Sequence, residues 1–389
     1  MHKLYVFLLI TIFILFPGAV FAEQPVNSPN VEEQLSALDM HQVEQFVQRL
    51  DSEIQSAVPH IDFKEMVVNL FKGELDWQPS DLFNNLLAYL FREVVANLAL
   101  LGKLIVLAII CAILKNLMDA FDRGTTGKLA YGVSYMVLIT LAVGSFGLVV
   151  NIGREAVDNM VIFMQALLPL LLTLLTAMGG IASAAIAHPI ILAATSVIGT
   201  LIKNIIFPLI FFAAILSIVS NLSEKFQISK LADLMKTSGL ILMGLFSTVF
   251  LGILAVQGVA GAVSDGVAIR TAKFASDAFI PVVGGMFSEA LEAVISSSLL
   301  LKNAIGIAGL IIIFLLTIFP LLKIISVAFI YKLAAALIQP VGDSQMVDCL
   351  NGLGNSLLTV FAAVATVGLL FFFTLAIVVG IGDLTVMLR

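Results

Sequence analysis

Charge is what this chain has least of. Only 12 % of its 389 residues are Asp, Glu, Lys or Arg, about half the share usual in a soluble domain. That scarcity excludes an ordinary water-soluble globule. There is no basic patch either, so nucleic acid is excluded as a partner. Cysteine occurs twice, as Cys111 inside an apolar run and Cys349 in a stretch that reads as a loop, and nothing brings the two together into a disulfide. The four histidines, His2, His41, His60 and His188, are scattered without metal-ligand spacing, and no cofactor is expected. The stretch "RGTTGK" at Arg123–Lys128 echoes a phosphate loop, but lacks the spacing between glycines and the Ser or Thr after the Lys. No GxSxG, no HExxH and no paired intramembrane acids occur, so the chain does not read as an enzyme.

Apolar residues make up 60 % of the chain, which places it among polytopic membrane proteins. A span needs about 20 apolar residues. Candidate runs lie at 98–118, 129–150, 161–178, 183–202, 204–222, 237–258, 303–321 and 355–380, and a shorter one at 324–338 is interrupted by Lys332. About seven to nine crossings are expected. Backbone polar groups in lipid must be paired within the segment, so the body, 98–389, is all-α.

The start of the chain differs. "MHKLYVFLLITIFILFPGAVFA" has one Lys, an apolar stretch and small residues at Val20 and Ala22, so 1–22 reads as a secretory signal cleaved before Glu23, or as a retained anchor helix. In either reading the segment that follows is delivered outside the cytoplasm. Between Glu23 and Asn97 stand thirteen acidic and four basic residues, a net of −9, which leaves +3 for the rest. This segment, 23–97, reads as three helical pieces. The first, around Val31–Val58, keeps apolar residues at three-to-four spacing; the second is "IDFKEMVVNLFKG"; the third opens at "DWQPSDLF", where Pro79 suits a first turn. With Glu23 outside, Lys115, Arg123 and Lys128, and later Lys225, Lys230 and Lys236, fall inside, while Arg154, Lys203, Arg270 and Lys273 fall in outside loops.

Two features look breakable. In 161–202, Pro169, Gly179–Gly180 and His188–Pro189 fit either two complete helices or a re-entrant hairpin of half-helices. In 264–287, Gly266, Arg270, Lys273 and Asp277 share one helical stripe beside Asp265, which gives an amphipathic helix of about 15 residues, or about 22 Å, too short to cross. Its charges read either as a solvated face, with Lys273 and Asp277 paired, or as the lining of an aqueous path or an assembly surface. The ordinary reading of Lys203, Lys302 and Lys332 is snorkelling near span ends. His188 reads as a packing residue or, less simply, a proton relay.

A faint repeat relates 161–258 to 274–368. "LIKNII" at Leu201 resembles "LLKNAI" at Leu300, "KLADLM" at Lys230 resembles "KLAAAL" at Lys332, and "TVF" recurs at Thr248 and Thr359. Chance matches of this length arise easily in apolar sequence. A true duplication would put an interface near mid-membrane and Lys332 at the cytoplasmic surface.

Four longer strings go further. They are "VQGVAGAVSDGVAIRTAKFASDAFIPVVGGMFSEALEAVISSSLLLKNAIGIAG", "AFIYKLAAALIQPVG", "LPLLLTLLTAMGGIASAAIAHPII" and "PLIFFAAILSIVSNLSEKF". With them the chain resembles the stage III sporulation protein AE family of endospore-forming Firmicutes, nearly end to end and least well in the acidic segment. The resemblance implies a polytopic protein of the mother-cell membrane around the engulfed forespore. It implies work with the other stage III A-operon proteins, among them a separate ATPase, and with a partner in the forespore membrane. Together these would form a channel that sustains the forespore and its late sigma factor. No catalytic or ligand residue is carried over. A self-contained transporter is the other reading.

Overall fold

The computed structural model describes residues 35, 38–54, 61–74, 79–120, 125–222, 228–279, 283–340 and 344–387. Side chains at 51–54, 79–80, 118–120, 125–128, 221–222, 258–279, 283–294 and 382–387 are not described. The signal stretch 1–22 lies outside these residues.

The described residues form helices and no strands. Among the described residues, after a helical Leu35, stand three short helices: α1 (His41–Ile54), α2 (Phe63–Lys72) and α3 (Pro79–Ala96). Asp62 caps α2 by accepting from the Glu65 N–H at 2.9 Å, and Gly73 closes it at φ 73°. Only Asn97 interrupts the run from α3 into α4 (Leu98–Ala120). The helices that follow are long: α5 (Thr125–Ala177), α6 (Ile181–Leu201), α7 (Phe207–Leu222), α8 (Ser229–Phe279), α9 (Val283–Ile338) and α10 (Ser344–Met387). Among the described residues, six helical stretches are long and apolar enough to cross a membrane.

Hydropathy runs and helices do not correspond one to one. Runs 129–150 and 161–178 are both parts of the 53-residue α5. The island between them, with Asn151, Arg154, Glu155 and Asp158, is polar but holds no helix breaker beyond Gly153. A single internal Gly costs about 1 kcal/mol, which packing readily offsets. Arg154 therefore lies within a helix, not in an outside loop. Likewise 303–321 and 324–338 fuse in α9, across Pro320.

A π turn at Ile202–Ile206 joins α6 to α7, so 183–202 and 204–222 make one continuous element. Pro208 follows at once and has no N–H to give the Asn204 carbonyl. The turn's wider bonding, with Phe207 N–H reaching Ile202 O, accommodates that loss.

True stops occur where the backbone demands them. At the end of α5, Gly179 takes φ 91°, its N–H bonds Thr176 O, and Gly180 N–H bonds Leu175 O, each at 2.9 Å. This is a Schellman turn, which needs a left-handed residue. Segment 161–202 is thus a hairpin of two long helices, with Pro169 and Pro189 held inside them. The charged stretch 264–279 is helical, but it is the end of the 51-residue α8 and not a free-standing short helix.

Three layers result. α5, α9 and α10 form the middle, with the α9–α10 pair packed most extensively. The helices α1 to α4 lie on α5 and α9, while α6, α7 and α8 pack together against α5 and α10. The acidic segment is therefore docked on the membrane body. The Phe46 ring lies 5.6 Å from that of Phe163, and Tyr89 meets Phe319 edge-on at 4.9 Å.

Of the lysines that the faint repeat aligns, Lys203 lies in the π turn between α6 and α7 and Lys302 inside α9, while Lys230 opens α8 and Lys332 lies inside α9.

Candidate functional site

Ionisable side chains are costly among apolar helices unless paired. Lys203, at the head of the π turn, meets Asp158 of α5 at 2.6 Å, with side chains 36 % and 46 % exposed. The short reach depends on Gly199, one turn earlier. A methyl group there would stand 2.4 Å from Val161 Cγ2, so only Gly lets α6 approach α5 this closely.

Lys302 is fully buried. Its ammonium donates to the Val379 carbonyl of α10.

Toward the other end of α9, Tyr331 is buried and donates to the Ala142 carbonyl of α5 at 2.6 Å, beside the Ser145 hydroxyl. Its neighbour Lys332 donates to Asn355 Oδ1 at 2.8 Å and Asn351 Oδ1 at 3.1 Å on α10. Gly354 leaves room for the Lys332 stem, which a Cβ would meet at 3.1 Å.

These groups form interhelical clamps. Each fixes the register of one long helix against another, and none puts a nucleophile beside a base. Among the described residues no cluster of three or more His, Cys, Asp and Glu is gathered. Cys111 and Cys349 are buried, separate thiols.

The structure sorts the residues singled out from sequence. Lys203, Lys302 and Lys332 do not simply snorkel; each holds a partner on another helix. His188 lies exposed on α6, where it lines a shallow cavity of about 400 Å³ with Pro169, Thr173 and Thr176. That places it on the outer face of the hairpin and in no buried polar chain. Asp265, Arg270, Lys273 and Asp277 lie on the helical end of α8, and their side chains are outside the described ones. Asp158, Ser145, Tyr331, Asn351 and Asn355 were not foreseen. The signal for Asp158 was the polar island at 151–159, which hydropathy presents as a loop.

Residues 61–382 match the family model described as Stage III sporulation protein AE. The chain is 43 % identical over 373 residues to the stage III sporulation protein AE of Bacillus subtilis (strain 168), covering 95 % of this chain and 93 % of that protein. No solved structure matches.

Proposed function

Because the chain belongs to the stage III sporulation protein AE family, we propose that it is a non-enzymatic subunit of a channel between mother cell and forespore. It sits in the mother-cell membrane around the forespore, with α1 to α3 in the space between the two membranes. The other stage III A-operon proteins, a separate ATPase and a forespore-membrane protein complete the conduit. The observation that carries this reading is a bundle of six membrane-length helices with an acidic helical cap docked on its side.

The proposal is tested by purification and reconstitution. The chain alone in liposomes passes no solute, and in sporulating cells it is retained by its operon partners. Charge reversal at Arg270 plus Lys273 blocks sporulation after engulfment at normal protein level; full spore yield would remove the end of α8 from the assembly. The Lys203–Asp158 pair between apolar helices favours a second reading, a self-contained secondary transporter. Saturable uptake by the purified chain would establish that instead.

A further inference from the structure

Helix α5 serves as a ruler, because every layer touches it. At 53 residues it is about 80 Å long, far more than the roughly 30 Å of a bilayer's hydrocarbon. Lipid therefore covers only part of the bundle at any one face, and the faces differ.

Near Val137–Leu141 the α4–α5 side is apolar and open. Ile109, Ile113, Val133, Met136 and Val137 are all exposed there. The height is set by the groove in which Gly102–Leu107 of α4, with Lys103 exposed among them, meets Val137 and Leu141; the long stem of Lys103 lets its ammonium snorkel away from lipid. On the α8–α10 side the same height is polar. Tyr331 reaches Ala142, and Lys332 beside it reaches Asn351, so the start of α10 lies level with this stretch of α5. Its exposed residues there are Asp348 and Asn351, and α8 opens nearby with exposed Lys230 and Asp233 beside exposed Leu231 and Leu234.

About 25 residues further along α5 the pattern inverts. At Phe163 the α1–α2 side is polar, with His41, Gln45, Arg49, Lys64 and Glu65 exposed over the docked Phe46. The α6–α8 side at this height is mainly apolar, with Val197, Leu245, Val249 and Ile253 exposed beside Gln165 and Thr248. Two contacts fix the level: Gln165 donates to Ser196 on α6, and Phe250 of α8 meets Phe371 of α10. The exposed stripe Phe83, Leu87, Phe91 and Val95 on α3 carries the α4 face up to the rim of the wet patch.

An upright bilayer wets or covers all faces at one height together. We infer that the bilayer meets this bundle obliquely, with lipid on the α4–α5 face at one end and on the α6–α8 face at the other. Water then reaches α1 and α2 on one side and the starts of α8 and α10 on the opposite side. A separate observation agrees. The charge-free stretch 237–264 in α8 is 28 residues long, against about 20 for an upright crossing. Longer apolar stretches are accommodated by tilt. The geometry also sets the far end of the chain. α10 runs parallel to α5, since Gly153 faces Val360 and Val364 while Gly309, which packs on Leu167, faces Leu375. The end of α10 and the Gly179–Gly180 turn thus share a side of the membrane with α1 and α2.

The inference needs the bilayer but not the conduit. Single cysteines in a Cys111→Ser, Cys349→Ser full-length chain, probed with a membrane-impermeant maleimide, test it. In protoplasts Gln45→Cys and Lys64→Cys label to completion while Val249→Cys, at their height, stays unlabelled. In inside-out vesicles Asp348→Cys and Lys230→Cys label while Val137→Cys, at theirs, stays unlabelled. Labelling of every variant after denaturation in detergent verifies its presence. A reporter fused after Met387 is active outside the cytoplasm. Val249→Cys labelling as fast as Gln45→Cys, or Asp348→Cys as protected as Val137→Cys, would overturn the oblique placement and leave the proposed function standing. Loss of partner co-purification with the labelling pattern intact would do the reverse.

Discussion

The α9–α10 pair and helix α8 are alike as sequence and unlike as structure. Each carries a long, nearly uncharged apolar stretch. Yet the most apolar windows of α9 and α10 are 56 % and 50 % buried inside the protein, against 17 % for that of α8. Lipid tails are as apolar as a protein core, so hydropathy is blind to which of the two a side chain meets. What separates them is the density of close approaches. A Cβ on Gly306 would stand 2.2 Å from Val379 Cγ2, and one on Gly368 would stand 2.4 Å from Thr317. On α8, Gly244 and Gly252 have nothing within 4 Å.

The largest expected effect tests this contrast directly. Gly368→Val places two methyl groups against a β-branched neighbour with few alternative rotamers. It lowers stability in detergent by about 3 kcal/mol or more, seen as a fall in Tm and in steady-state level. Gly252→Val leaves both unchanged. Equal losses would show α8 to be as tightly packed as the core pair. Next comes Lys302→Ala, which empties a buried site and removes the donor to Val379, at a cost of about 2–4 kcal/mol. Lys302→Met keeps most of the volume and recovers a large part of it.

Tyr331→Phe removes one interhelical hydroxyl and costs about 1 kcal/mol. The smallest effect belongs to Lys203→Met. The pair it breaks is more than a third exposed, so solvent has already screened it, and the loss is about 1 kcal/mol or less. A Lys203→Met effect as large as that of Lys302→Ala would mean that the α5–α6 seam is buried in the assembled protein.

Much of the frame was readable in the residues. Pro79 marked the first turn of α3, and Gly179–Gly180 marked the turn after α5, because proline and left-handed glycine act through local backbone geometry. The helical character of the acidic segment followed from its three-to-four spacing. The polar island around Asp158 was misleading, since polarity at that point reads as a loop, whereas the stretch stays helical within α5 and Asp158 meets Lys203 across a helix seam. Lys302 was unreadable for the same kind of reason: its partner is a main-chain carbonyl 77 residues away, and no side chain announces it.

By itself, then, the sequence determined that this chain is helical, lives in a membrane and turns at Gly179–Gly180. Those outcomes depend on local sterics and on average polarity, which a linear pattern carries in full. Only the tertiary structure decided which apolar runs fuse into single helices, which faces are given to protein and which to lipid, and which lysines are clamped. Those depend on contacts between helices far apart in the chain, and apolar surface is equally satisfied by either neighbour until packing selects one.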